Sequence, residues 1–295
     1  MILRLIRMMN DSKLHFENEE EIENLNDFFI EHNKPQKSKL KRIEDYTKVL
    51  PILEVYRCVQ SEGSRFGRPT IAIRTTGCTH RCWFGEGGWC DSWYTSIHPE
   101  KGTFCFNDII KIYDENPQVK EMMLTGGSPT MHKALVNEIT HFAKERGILV
   151  TIETEGSHFL ETDYPIDLIS LSPKFSNTIP KLGIKTPKGV EVDERMIKQH
   201  NKFRLNSDAI FKTLQYHKDY HYKPVWDGTP ENLEEIEEFR ILHNIPKNKT
   251  FVMPAGDTRE TLIPMYKKVF EMVAEHGYNM TGRDHIVAYD TERGV

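Results

Sequence analysis

Three of the chain's five cysteines cluster, in Gly77-Cys78-Thr79-His80-Arg81-Cys82 and then Cys90-Asp91-Ser92, a C-x3-C-x7-C spacing. Thiolates are soft ligands suited to iron–sulfur clusters or to zinc. Three of them can hold three irons of a cubane and leave the fourth iron open to a small molecule. Gly85, Gly87 and Gly88 let the intervening backbone wrap closely round a compact inorganic core. The alternative is a Cys3His zinc site with His80 or His98 as the fourth ligand, although zinc sites usually show two tight cysteine pairs. Three free structural thiols explain such density less well. The spacing favours iron–sulfur and leaves zinc open. Cys58 and Cys105 fit no motif and read as ordinary buried or half-buried thiols.

Composition bounds the setting. The chain has 295 residues, 39 Lys and Arg against 44 Asp and Glu, a net charge of −5 and 38% hydrophobic residues. That is too apolar for disorder, too charged for a membrane protein and too acidic for a general nucleic-acid binder. No apolar run approaches the ~20 residues of a membrane helix. The apolar start, residues 1–9, is too short for a secretory signal. The expected setting is the cytoplasm, where clustered cysteines mean metal or redox chemistry rather than disulfides.

The elements that must hold the loop alternate. Residues 1–50 read as an N-terminal extension, with an acidic helix over 16–33 and a basic stretch over 34–42. From 51 on, strands are expected at 53–60, 70–75, 119–124, 148–153, 166–171, 221–226, 250–253 and 285–289. Helices are expected at 107–115 with Asn107 as cap, at 133–146 stopped by Gly147, at 230–242 capped by Thr229, and at 259–276. Residues 175–218 are polar, helical near 194–202, and read as an insertion or lid. Repeated strand–loop–helix order predicts parallel strands with crossover helices, and ligands bind at the carboxyl ends of such strands.

Further segments accompany the cysteines. They are Val59-Gln60-Ser61-Glu62-Gly63 with Gly67 and Pro69; Arg74, four residues before Cys78; and Leu124-Thr125-Gly126-Gly127-Ser128-Pro129. Then come Glu153-Thr154-Glu155-Gly156, Ser172-Pro173-Lys174, and Arg283-x-His285 through Arg293-Gly294-Val295. In this order they resemble the radical S-adenosylmethionine superfamily, whose signature is C-x3-C-x2-C. Within it, the chain looks like the 7-carboxy-7-deazaguanine synthase family of queuosine-type deazapurine biosynthesis. The resemblance covers residues 53–174 and 220–295. It departs from the family in the seven-residue last cysteine gap, in Ser128 for a glutamate, in Ser92 for a threonine and in Ser61 for a glycine.

The resemblance implies an open, partial parallel β/α barrel and a lyase. A 4Fe–4S cluster would sit on Cys78, Cys82 and Cys90. S-adenosyl-L-methionine would be held by Trp89, Asp91, Gly127, Ser172, Pro173 and Lys174, and Mg2+ by Ser92. The implied substrate is 6-carboxy-5,6,7,8-tetrahydropterin, held by Val59, Gln60, Ser61, Glu62, Arg74, Thr125 and the terminal Val295. Hydrogen abstraction, ring contraction and loss of ammonia would give 7-carboxy-7-deazaguanine, with the adenosylmethionine re-formed. Expected partners are this pterin and a flavodoxin-like or other low-potential electron donor, with a homodimer as an open option and no nucleic acid or membrane. Two other readings stand beside it: an activase that makes a glycyl radical on a protein, and a zinc-stabilised scaffold.

Overall fold

The computed structural model describes residues 40–294. A division of the chain falls between Ser38 and Lys39. The helix expected at 16–33, most of the basic stretch and Val295 lie outside the described residues.

Six strands form one open sheet in the order β1 to β6: Ile52–Val59, Pro69–Thr75, Glu121–Gly126, Leu149–Thr154, Leu168–Leu171 and Tyr220–Tyr222. From β2 onward every neighbouring pair is parallel. β1 departs from the expected order, because it pairs antiparallel with β2. The short link between them cannot make a parallel crossover, which needs about a dozen residues or more. The strand expected over 221–226 divides at Pro224. Proline has no N–H for the ladder, and after it β7 (Val225–Trp226) joins a second parallel sheet with β8 (Phe251–Pro254) and β9 (Asn279–Met280). A bridge between Tyr222 and Thr250 links the two sheets.

Helices cover the sheet: α1 (Trp93–Ser96), α2 (Phe106–Glu115), α3 (Lys133–Arg146), α4 (Glu194–Phe203), α5 (Ser207–Tyr216), α6 (Pro230–Leu242), α7 (Arg259–His276) and α8 (Asp284–Tyr289). Ile71, Ile73, Met122, Leu124 and Ile152 from the strands meet Ile109, Val136 and Ile139 from α2 and α3, all essentially inaccessible to solvent. Local signals set most ends. Gly147 closes α3 in the left-handed conformation at φ 63°. Thr229 caps α6 by accepting the Asn232 N–H at 3.3 Å, with Pro230 in the first turn. Cys105, not Asn107, precedes α2; its N–H is taken by Asp108 at 2.7 Å. The run 285–289, expected as a strand, is helix α8. Short apolar runs carry no decisive periodicity.

Residues 40–50 pack on the core through Ile43, Tyr46 and Leu50, and Arg42 pairs with the buried Glu138 at 2.6 Å. Within 175–218, α5 buries Ile210 in the same core, while residues 183–192 form a small hairpin beside the cysteine loop.

Candidate active site

β2 ends at Thr75 and runs into the cysteine loop. Gly77 N–H donates to the Thr95 carbonyl at 2.7 Å, and Ser128 N–H donates to the Gly77 carbonyl at 2.8 Å. A Cβ at Gly127 would lie 2.0 Å from that same carbonyl. Gly127 is therefore demanded by the loop itself, and it also lines the cavity in which the resemblance expects adenosylmethionine. The long gap before the last cysteine is also explained. Trp83 pairs with Trp89, Phe84 N–H donates to Gly88 O at 2.8 Å, and Cys90 N–H donates to Cys82 O at 3.1 Å. The additional residues project as a hairpin, and Cys82 and Cys90 become cross-strand neighbours.

The three thiols line a cavity of about 480 Å³ at the carboxyl ends of the strands. Trp89, Asp91, Ser92, Gly127, Ser172 and Lys174 line it too, as do Val59, Gln60, Ser61, Glu62, Arg74 and Thr125. Pro173 does not. Burial pushes the Cys78 thiol up to about 12, with the Glu155 charge adding to it, and Cys90 up to about 11. Cys82 is raised well above its ordinary value, again chiefly by burial. Bound metal would take all three as thiolates. Among the described residues, no three His, Cys, Asp or Glu side chains are grouped to hold a single metal ion. His98 is engaged with Thr186 Oγ1 at 2.8 Å. A cubane gives each thiolate its own iron and does not ask the sulfurs to converge, so the donor set fits a cluster better than tetrahedral zinc.

The opposite wall is charged. Arg74 donates from Nε to Glu54 at 2.6 Å, from Nη1 to Ser92 Oγ at 2.9 Å and from Nη2 to the Tyr56 hydroxyl at 3.1 Å. Burial opposes its charge, but Tyr56, Tyr94 and Glu54 outweigh that and raise its pKa. Lys223 is buried between two carboxylates, with Nζ 2.5 Å from Glu62 and 2.6 Å from Glu153. Arg283 pairs with Glu62 at 3.4 Å and with Asp91. Burial would raise the Glu62 and Asp91 carboxyls; Lys223, Arg283 and His285 hold Glu62 far below the usual range, and Arg283 and His285 do the same for Asp91. His285 Nδ1 bonds Ser61 Oγ at 2.7 Å, Lys174 Nζ donates to Ser172 Oγ at 3.0 Å, and Ser128 Oγ donates to Glu155 at 2.6 Å.

Lys223, Glu153, Glu155, Arg283, His285 and Arg293 were not among the sequence-based site residues. Four of them lie in the segments quoted above, and Arg293 begins the quoted end of the chain. Lys223 had one signal, a lone cation amid the aromatic and apolar run 220–226. Arg293 sits 3.4 Å from the centre of the Tyr94 ring and pairs with Glu54 and Glu100, which brings residues 290–294 to the cavity wall.

An open parallel β/α barrel with a three-cysteine loop at the carboxyl end of its first parallel strand is the architecture of radical S-adenosylmethionine enzymes. The crystal structure of QueE from Escherichia coli shares the fold, with a TM-score of 0.50 at 18% identity over 79% of this chain and 92% of that one. The chain belongs to the 7-carboxy-7-deazaguanine synthase family. It is 33% identical over 247 residues to the protein of that name from Halobacterium salinarum, covering 82% of this chain and 91% of the relative. Its namesake from Rhodopirellula baltica is 31% identical over 246 residues, 83% of this chain and 89% of the relative. The Pyrobaculum aerophilum synthase is 26% identical over 250 residues, 82% of this chain and 96% of the relative. No protein-family model matches the chain.

Proposed function

We propose that the chain converts 6-carboxy-5,6,7,8-tetrahydropterin to 7-carboxy-7-deazaguanine with loss of ammonia, at the cavity bounded by the cysteine loop and the Glu62–Arg74 wall. The observation that carries this reading is that one cavity receives both the three thiols and a set of charged groups suited to a small polar heterocycle. When bound at Cys78, Cys82 and Cys90, a 4Fe–4S cluster with S-adenosylmethionine supplies one-electron chemistry able to remove hydrogen from carbon.

The protein's task is to hold and orient. Glu62 is kept ionised, so its oxygens accept N–H donors from the pterin's amino-pyrimidinone edge beside the Gln60 amide. Lys223 lets Glu62 and Glu153 share one buried pocket without mutual repulsion. Arg74 uses three of its five N–H groups within the protein. The other two are donors for the substrate carboxylate. Ser92 is the hydroxyl for Mg2+, supported by Asp91, onto whose Oδ1 it donates at 3.3 Å. Ser172 and Lys174 line the same cavity as the cysteines and suit the polar end of adenosylmethionine. The tail pinned by Arg293 forms part of the cavity wall.

Anaerobic reconstitution with iron and sulfide, then turnover with reductant, adenosylmethionine, Mg2+ and the carboxytetrahydropterin, tests the reading. The expected outcome is the deazaguanine acid with adenosylmethionine recovered. An intact cluster with no product overturns the substrate assignment, and stoichiometric loss of adenosylmethionine favours an activase.

A further inference from the structure

The hairpin 183–192 and its flanks cover the outside of the cysteine loop, and nothing in the chemistry above uses them. Gly183 N–H donates to Val192 O, Val192 N–H to Ile184 O and Thr186 N–H to Val190 O, with a turn at Pro187-Lys188-Gly189. The hairpin is fastened to the loop at several points. Trp89 Nε1 donates to the Lys185 carbonyl at 3.1 Å, and His98 bonds Thr186. Lys181 lies over the Trp83 ring at 5.4 Å and Lys188 over Trp93 at 5.9 Å. Lys185 is thus one hydrogen bond from the residue next to Cys90.

The outer surface is locally basic. Residues 181–202 carry six Lys and Arg against three Asp and Glu, within a protein of net charge −5. Two of those acids pair with two of the cations, Asp193 with Arg195 and Glu194 with Lys198, which leaves Lys181, Lys185, Lys188 and Lys202 against Glu191. Among the lysines stand two exposed apolar side chains, Leu182 at 64% and Val190 at 46%. Exposed apolar side chains among mostly positive charges suit a protein-docking patch, with Glu191 the one acid in the hairpin. The cations steer an oppositely charged partner, and electron-transfer encounters use small interfaces.

We propose that the Lys181–Lys188 face docks an acidic one-electron carrier protein and that the electron enters the cluster through this side of the loop. One electron leaves the reduced carrier and one enters the cluster; no atom or proton is exchanged. The inference rests on the cluster assignment above, but not on the identity of the substrate.

The test uses the reconstituted protein and, as probe, an acidic flavodoxin in its hydroquinone form. Binding is followed by calorimetry and cluster reduction by stopped-flow absorbance, both across a salt series. The triple variant Lys181→Glu/Lys185→Glu/Lys188→Glu should bind at least tenfold more weakly and be reduced at least tenfold more slowly, with a flattened salt dependence. Turnover driven by dithionite should stay within twofold of the parent. Lys185→Glu alone should show the same loss in smaller degree should the triple variant fold poorly, and the triple Lys→Arg variant should restore both binding and rate. Unchanged flavodoxin binding and reduction in the variants overturns the proposal. So does a patch that loses affinity only for RNA or anionic vesicles. Lysine-dependent reduction without any deazaguanine product would leave the docking face standing and remove the substrate reading alone.

Discussion

Lys223 is the residue on which the charged wall depends. Its ammonium is buried with both neighbours being carboxylates, Glu62 and Glu153. Removing one partner from a buried ionic group costs about 3–5 kcal/mol, because the remaining charges stay desolvated. Lys223→Met should therefore lower the free energy of unfolding, measured by urea titration, by an amount in that range and reduce kcat/KM, since Glu62 loses the nearest of the charges that keep it ionised. Lys223→Met combined with Glu153→Gln removes the repulsion as well and should regain part of the lost stability. A double variant no more stable than Lys223→Met alone would contradict this account. The cysteines behave differently. Cys78→Ala, Cys82→Ala or Cys90→Ala should each abolish iron incorporation, whereas Cys105→Ala should leave the iron content measured after reconstitution unchanged. The contrast also marks what could be read in advance. Cysteine chemistry is carried by spacing along the chain, so the trio was legible. Lys223 meets Glu62 across 161 positions of sequence, and no local pattern records that meeting.

At the scale of elements, the cysteine loop is shaped by its glycine contact with the turn after β3. Gly127→Ala would drive a methyl group into the Gly77 carbonyl, which is backbone and cannot step aside. The expected result is a folded barrel with a displaced loop, seen as loss of iron after reconstitution at a far-UV spectrum close to the parent's. Gly67→Ala has open space around its Cβ, although its φ of 84° strains the turn, so it should retain the cluster at a cost of about 1 kcal/mol or more in stability. Elements bounded by their own chemistry were legible from sequence. α6 begins at Thr229-Pro230 and α3 stops at Gly147, both as expected. Elements set by neighbours were not. The antiparallel β1–β2 pair follows from a short link whose meaning depends on the third strand, the half of 221–226 after Pro224 finds its partner in β8, and α8 forms where His285 reaches Ser61.

For the whole molecule, buried neutral histidines set the response to acid. Burial pulls His217 and His243 down to about 4 and His221 down to about 3, from an ordinary value of 6.5. Above pH 6.5 all three are neutral in both the folded and the unfolded chain and contribute nothing to the pH dependence. Between 6.5 and about 4 the unfolded chain binds protons that the folded chain refuses, so stability rises with pH and falls as acid is added. Each histidine contributes a slope of up to about 1.4 kcal/mol per pH unit. Below that window Glu62, whose folded value is depressed, adds a further loss as it is forced to protonate. The urea midpoint should be nearly flat from pH 7 to 8 and drop steeply from 6.5 to 4.5. His243 offers the cleanest dissection. Both its ring nitrogens are buried without a hydrogen-bond partner among the described residues, and its ring lies 4.3 Å from Phe239 and 4.6 Å from Phe211. His243→Phe keeps an aromatic ring in that stack and removes the titration. It should be neutral or stabilising at pH 7.5, because an apolar ring replaces unsatisfied nitrogens. At pH 5 it should stabilise further by about 1–2 kcal/mol, with the slope reduced by one histidine's share. An unchanged slope, measured by urea titration at half-unit intervals, would mean that His243 charges in the folded state and that its burial does not govern acid unfolding.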